Sequence, residues 1–292
     1  MKPMPFEYCR PATLDETFDL LARFGDDGRI LAGGQSLVPA LNMRLATPRA
    51  VIDINRLPGL DAIRLAPEGL VIGALARHDA VERSPLVARH APLIAAAMPH
   101  VGHAAIRSRG TFGGSLALAD PAAELPACVV ALDATIRVAR RGGRRDIPAA
   151  DFFRGVYTTA LEPGEVITEV VVPPPGIGWR SAFDELARRH GDFALVGLAA
   201  HGRVDAGALG EIRLVFFGVG AAPVRARRAE AALAGRRPDR DGLGAAAKAL
   251  DGDLAPPGDI HGSPALRRHL AGVLLTRVVP RLLESAAHWE NR

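Results

Sequence analysis

Apolar positions fall in short runs along this chain, and the runs change character once. In the first half, strand-length runs alternate with helical stretches. Arg29 to Ala32 leads into a glycine turn, Ala50 to Ile54 reads Ala-Val-Ile-Asp-Ile, and Leu70 to Gly73 is again apolar. Thr135 to Ala139 turns Ile136 and Val138 to one side, the period of a half-buried strand. His78 to Met98 is largely helical, divided by Pro85 and Pro92, because an interior proline lacks the N–H and clashes with the preceding turn. The β-rich run Val166 to Val172 stops at Pro173-Pro174-Pro175-Gly176, which neither a helix nor a central strand can continue. Beyond it, Ala182 to Arg188, Ala194 to Val204 and Glu211 to Val219 suit a small antiparallel sheet. Helices are expected at Arg227 to Leu233, at Leu243 to Leu250, and from Ser263, which can cap a helix whose first residue is Pro264. Pro280 should kink or end that helix. The expected class is α+β, with domains at residues 1–174 and 175–292.

Composition fits this division. At 292 residues the chain accommodates two domains of ~150 residues, and 48% hydrophobic with 23% charged residues suits a globular protein with a sizeable core. No run approaches the roughly 18 apolar residues of a membrane span. The start, Met1-Lys2-Pro3-Met4-Pro5, lacks an apolar signal region, so the expected location is the cytoplasm. Net charge is only +4. Arg140, Arg141, Arg144 and Arg145 flank Gly142-Gly143, which reads as a solvated hairpin turn; no aromatic residues interleave for base stacking, so nucleic-acid binding is not expected. Cys9 and Cys128 are far apart, too few to ligate an iron–sulfur cluster or to build a structural zinc site. No metal site is expected here, and any metal redox centre belongs to another chain. Cys128, in an apolar run, reads as a buried, inert thiol.

Two glycine-rich stretches carry the candidate chemistry. The first, Ala32-Gly33-Gly34-Gln35-Ser36-Leu37, follows a strand and precedes the helical stretch Leu37 to Arg44. Adjacent glycines let a ligand approach the main chain, consecutive N–H groups can form an anion-holding nest, and a helix N-terminus adds partial positive charge. Ser36 could cap the helix or donate to a phosphate oxygen. The second loop runs from Arg109 through Gly110, Thr111, Phe112, Gly113, Gly114 and Ser115 to Leu118, Ala119, Asp120 and Pro121. It offers another glycine pair with flanking hydroxyls. Asp120 reads either as the N-cap of a helix beginning at Pro121 or as a carboxylate accepting from a cofactor hydroxyl. Neither stretch is a Walker A motif or a complete GxGxxG fingerprint. Two separate nests suit a diphosphate gripped from both sides.

The motifs resemble a known family. Leu31-Ala32-Gly33-Gly34-Gln35-Ser36-Leu37-Val38-Pro39 is similar to the first FAD loop of the medium, flavoprotein subunit of molybdenum hydroxylases of the carbon monoxide dehydrogenase and xanthine dehydrogenase type. Ile106 to Ser115 followed by Ala119-Asp120-Pro121-Ala122-Ala123-Glu124 resembles its second. Further likenesses are Val51-Ile52-Asp53-Ile54, Gly191-Asp192-Phe193-Ala194, and Asp259-Ile260-His261-Gly262-Ser263 ahead of Arg267-Arg268. The resemblance implies a PCMH-type (vanillyl-alcohol-oxidase-like) FAD-binding domain and a C-terminal domain of antiparallel sheet plus helical bundle. It places FAD on Ala32, Gly33, Gly34, Gln35, Ser36, Leu37, Thr111, Phe112, Gly113, Gly114, Ser115 and Asp120, with Arg188 and Asp192 near the flavin. It implies electron transfer to FAD from the 2Fe–2S clusters of a small partner subunit, with the molybdenum cofactor on a large partner subunit, in a dimer of heterotrimers. No catalytic acid, base or nucleophile is then needed on this chain, and His78, His90, His100 and His103 read as surface or packing residues. Leu118 stands where many relatives have histidine, so an imidazole that could bond or titrate near the cofactor is missing. The alternatives are a stand-alone flavin oxidase or reductase, and a scaffold subunit without FAD.

Overall fold

A computed structural model describes residues 2–189 and 191–284. The chain opens with strand β1 (Glu7–Cys9), helix α1 (Leu14–Phe24), strand β2 (Gly28–Leu31), helix α2 (Leu37–Asn42) and strand β3 (Ala50–Asp53). The strands form a parallel sheet in the order β1-β3-β2, with Glu7 opposite Ala50 and Leu31 opposite Asp53. Parallel neighbours need a crossover, which α1 and α2 supply. Thr13 starts α1 by accepting from the Glu16 N–H at 3.1 Å, while the Glu16 carboxylate accepts from the Ala12 N–H at 2.7 Å. All four residues of the central strand β3 are buried.

Strands β4 (Ile63–Ala66) and β5 (Gly69–Gly73) follow, then a run of short helices: α3 (His78–Arg83), α4 (Pro85–His90), α5 (Pro92–Ala97), α6 (Ala104–Arg107), α7 (Phe112–Leu118) and α8 (Glu124–Ala131). Pro85 and Pro92 divide the predicted helical stretch, each sitting at the first turn of a new helix. Strand β6 (Thr135–Arg140) turns through Gly142 into β7 (Gly143–Pro148). After α9 (Ala149–Phe152) and the small pair β8 (Phe153–Gly155) and β9 (Thr158–Thr159), strand β10 (Val166–Val172) enters the middle of an antiparallel sheet ordered β4-β5-β10-β6-β7. Three of the four arginines at the β6–β7 turn are paired: Arg140 with Glu162, Arg141 with Asp19 and Arg145 with Glu165.

The second sheet region is an antiparallel meander of β11 (Trp179–Leu186), β12 (Val196–Asp205), β13 (Ala208–Phe217) and β14 (Val224–Arg225). Helices α10 (Arg227–Leu233), α11 (Arg240–Ala249) and α12 (Pro264–Val278) complete the chain. Helix α11 begins three residues ahead of the expected start, capped by Asp239, which accepts from the Gly242 N–H at 2.8 Å. Ser263 caps α12, and the α-helix gives way to a 3₁₀ turn at Val279, beside Pro280. Strand β11 stops at Leu186, so Arg188 lies past its end.

The meander is buried on both faces. Leu198, Leu214 and Phe216 share a core with Ala229 and Leu233 of α10 and Leu274 and Leu275 of α12, whereas Phe183, Ala199, Val215 and Phe217 join the core of the preceding helices. Helix α8 belongs to that second core and packs against β12 and β13, with all eight residues buried, as expected of a helix apolar all round. Its first residue, Glu124, is the exception in character. The halves of the chain therefore share one hydrophobic core, and the Gly218 N–H donates to the Pro121 carbonyl at 2.8 Å across the junction.

Candidate cofactor-binding site

The two glycine motifs meet although they are far apart in sequence. A Cβ built on Gly33 would lie 2.6 Å from the Arg109 carbonyl oxygen, 2.8 Å from Gly110 Cα and 3.0 Å from Thr111 N. Only a residue without a side chain allows this approach. Gly34 is required for a second reason: its φ of +75° is left-handed.

The first motif is a nest in the physical sense. Among the described residues, the main-chain N–H groups of Gly33, Gly34, Gln35 and Ser36 have no acceptor in the chain, while the Gly34 and Ser36 carbonyls already serve Val38 and Ala40 in α2. Ser36 does not cap α2 through its side chain, so its exposed hydroxyl is free for a ligand. Ala32, Gly33, Gly34 and Leu37 are half-buried and Gln35 is exposed, so the turn lines an accessible surface.

The second motif differs from its expected form. It is not a loop: Phe112 to Leu118 is helix α7, with Gly113 and Gly114 in its first turn. Close packing explains the glycines here. A Cβ on Gly113 would lie 2.6 Å from Ala74 Cβ, and one on Gly114 would lie 2.5 Å from Thr111 Oγ1. The Phe112 and Gly113 N–H groups are spent on the carbonyls of Ala76 (2.9 Å) and Ala74 (2.8 Å), and Ser115 N–H on Thr111 (3.1 Å). What the motif still offers are the Gly114 N–H, the half-buried Ser115 and the Thr111 hydroxyl. Thr111 is 2% exposed and its Oγ1 has no hydrogen-bond partner, an uncommon and costly state for a buried hydroxyl. A diphosphate fits this inventory: anionic oxygens would take the unspent N–H groups and the orphaned hydroxyl, which the absence of a Cβ at Gly114 leaves uncovered.

Asp120 does not cap a helix. Ala119 takes a left-handed φ of +52°, ending α7, and Asp120 Oδ1 accepts from the Ala122 N–H at 2.9 Å in a tight turn; α8 starts only at Glu124. Its other oxygen faces the Tyr157 hydroxyl at 3.4 Å, so the half-buried carboxylate retains acceptor capacity. Leu118, in the last turn of α7, is half-buried and offers no polar atom. Arg188 and Asp192 are exposed. Between them Gly191 has a φ of +85°, and a Cβ built on it would lie 2.5 Å from His103 Cε1.

His78, expected to be a surface or packing residue, is a packing one. It is 5% exposed behind the second motif, neither ring nitrogen has a hydrogen-bond partner, and burial lowers its pKa to about 4. It is neutral and packs against Gly110. Sequence reasoning passed over Asn55 and Arg77, polar residues outside any glycine motif that bond to main-chain carbonyls of both stretches.

With this geometry in place, residues 4–175 match the family model described as the FAD binding domain in molybdopterin dehydrogenase, and residues 181–282 match that of the CO dehydrogenase flavoprotein C-terminal domain. The chain belongs to the FAD-binding flavoprotein family of molybdopterin dehydrogenases. It is 39% identical, over 98% of its length and 97% of the relative's, to the 6-hydroxypseudooxynicotine dehydrogenase complex subunit alpha of Paenarthrobacter nicotinovorans. It superposes on a chain of quinoline 2-oxidoreductase from Pseudomonas putida 86 with a TM-score of 0.92 and 39% identity, covering 97% of this chain and 98% of that one. A chain of carbon monoxide dehydrogenase from Hydrogenophaga pseudoflava gives a TM-score of 0.92 at 37% identity, covering 96% of this chain and 97% of the other. The family makes the chain an oxidoreductase flavoprotein, and its cofactor is FAD.

Proposed function

We propose that this chain holds FAD across its two glycine motifs and works as the electron-transferring flavoprotein subunit of a molybdenum hydroxylase complex. It takes electrons from 2Fe–2S clusters on a small partner subunit and passes them from reduced FAD to an external acceptor. The observation that carries the reading is the close approach of Gly33 to Arg109, Gly110 and Thr111, which brings both sets of unspent donors to one seat. Bound FAD supplies the redox chemistry, and the protein supplies position and electrostatics.

In this reading the N–H groups of Gly33, Gly34, Gln35 and Ser36, the Gly114 N–H and the hydroxyls of Thr111 and Ser115 hold the diphosphate, with Ala32, Leu37, Phe112 and Gly113 shaping the seat. Asp120 accepts from a cofactor hydroxyl. Arg188 and Asp192 belong to a segment at the rim. The FAD-binding domain is residues 1–174 and the C-terminal domain 175–292. The molybdenum-cofactor subunit, the 2Fe–2S subunit and this chain assemble as a dimer of heterotrimers in the cytoplasm. No helix among the described residues is long and apolar enough to cross a membrane.

The test is purification of the chain alone and with its partners. The isolated chain should be yellow, carry one FAD and be reducible chemically, yet leave the organic substrate of the complex untouched. Turnover by the isolated chain would instead make it a self-contained oxidase or reductase; a colourless chain that cannot be loaded with FAD would make it a scaffold.

A further inference from the structure

The seat described above raises the question of what fixes the separation of two motifs so far apart in sequence. Asn55 follows β3 and projects beneath the first. Its Nδ2 donates to the Ala32 carbonyl at 2.8 Å and to Asp53 Oδ1 at 2.6 Å, with the Leu31 carbonyl at 3.4 Å. Its Oδ1 accepts from Arg77 Nη2 at 2.6 Å, and Arg77 Nη1 donates to the Arg109 carbonyl. The surroundings allow only one orientation of the amide, because reversal would set its oxygen against a carboxylate and two carbonyls. Asp53 is itself anchored: Oδ2 accepts from the Tyr8 hydroxyl and Oδ1 from the Asn55 N–H at 3.0 Å. A continuous polar chain thus runs from the base of the sheet through Asn55 and Arg77, touching the entrance of each motif.

Peptide geometry gives this chain a consequence for the ligand. In a planar trans peptide the C=O and the next N–H point in opposite directions. Holding the Ala32 carbonyl on Asn55 therefore turns the Gly33 N–H to the other side, where it is one of the unspent donors of the nest. The Arg109 carbonyl, gripped by Arg77, is the atom against which Gly33 is packed. The guanidinium also sets a permanent positive charge behind both motifs. We infer that Asn55 and Arg77 are positioning residues for the cofactor, a two-residue clasp that aims the Gly33 N–H and sets the spacing of the two motifs for one diphosphate. This rests on the FAD seat proposed above.

The clasp and the seat can be tested apart with the full-length chain, stripped of FAD and retitrated with FAD. Three quantities are read: affinity, the phosphorus-31 resonances of the bound diphosphate, and melting of the flavin-free protein. Asn55→Ala removes the bond to Ala32; Arg77→Lys keeps the charge but loses the fork that reaches two acceptors. Each should weaken FAD binding by about tenfold or more, the scale of one charge-assisted hydrogen bond, and shift the diphosphate resonances. Arg77→Gln, which loses fork and charge, should bind more weakly than Arg77→Lys. Gly33→Val is the control for the seat. If it loses FAD while Asn55→Ala and Arg77→Lys keep parental affinity and parental resonances, the clasp is wrong and the seat stands. If Gly33→Val binds FAD as the parent does, the seat fails and the clasp with it. Should Asn55→Ala not fold, Arg77→Lys decides the matter alone.

Discussion

At the scale of single residues, the site is defined by bonds the protein leaves unmade. Thr111 is the sharpest case, since its side chain is buried with an oxygen that has no hydrogen-bond partner among the described residues. A buried polar group without a partner costs about 1–3 kcal/mol. It persists where a ligand completes it. Thr111→Val is nearly isosteric and separates the two states: the flavin-free protein should melt higher than the parent, while FAD affinity falls by about tenfold, one neutral-to-charged hydrogen bond. A variant destabilised with and without FAD would show that the hydroxyl serves the fold instead. Gly33→Ala tests the contact between motifs. Its methyl would stand 2.6 Å from a main-chain oxygen that is itself held by Arg77, so no flexible side chain can yield. FAD affinity should fall by about an order of magnitude or more, through displaced donors. The glycine pairs and their hydroxyls were legible because missing side chains and small polar residues have a direct physical meaning. Asn55 and Arg77 were not, since nothing local marks a residue whose partners are main-chain carbonyls brought to it by the fold.

Elements show the same division. Strands β11 to β13 of the meander and helices α10 and α12 follow from local pattern and from a Ser-Pro start, and the structure places them within a few residues of expectation. The parallel sheet β1-β3-β2 depends on pairing across whole crossovers, and its outer strand Glu7–Cys9 is three residues long with two of them exposed. No periodicity could announce it. Helix α7 was hidden by its glycines, which disfavour helix by about 1 kcal/mol each. Burial of Phe112 and Leu116 and two bonds to the chain before α3 outweigh that cost. The Asp259 motif acquires a structural meaning at this scale. Arg267, 6% exposed, donates to the Gly218 carbonyl at 2.8 Å, to the Leu195 carbonyl, and to Asp259 Oδ2 at 2.6 Å. One guanidinium thus ties α12 to the end of β13, to the residue before β12, and to its own capping turn. Arg267→Ala should cost about 3 kcal/mol, the scale of a broken buried pair, and Arg267→Lys should recover little because one ammonium cannot serve three divergent acceptors. The exposed neighbour Arg268→Ala should stay within about 0.5 kcal/mol in the same chemical denaturation series. Equal effects at both positions would show that the motif does not act through this tie.

Across the whole molecule, the shared core between the halves has an electrostatic signature. Glu124 begins α8 inside that core, 8% exposed, and burial, with the nearby Glu185 adding to it, pushes its pKa from 4.5 up to about 8. His78 and His201 are each lowered from 6.5 to about 4, by burial first. Between pH 4.5 and 8 Glu124 holds a proton that the unfolded chain has released, so stability falls as pH rises through that window. Between pH 4 and 6.5 the two histidines are neutral when folded and charged when unfolded, so stability is lost as pH falls. Where the windows overlap two histidines outweigh one glutamate, and above pH 6.5 the glutamate acts without them. These three groups therefore place a stability maximum near pH 6.5, with limbs descending on both sides. His100, raised by its bond to Glu185, adds to the alkaline limb. Glu124→Gln keeps a neutral side chain of the same shape and removes one titration. Its melting temperature should exceed the parent's by an amount that grows from pH 6.5 to pH 8, leaving a shallower alkaline limb and a steeper acid one. The check is a melting series in buffers spanning that range with FAD saturating throughout, so that ligand linkage stays constant. Parallel curves for parent and variant above pH 6.5 would mean that Glu124 is ionised in the folded protein and that the junction carries a charge rather than a proton.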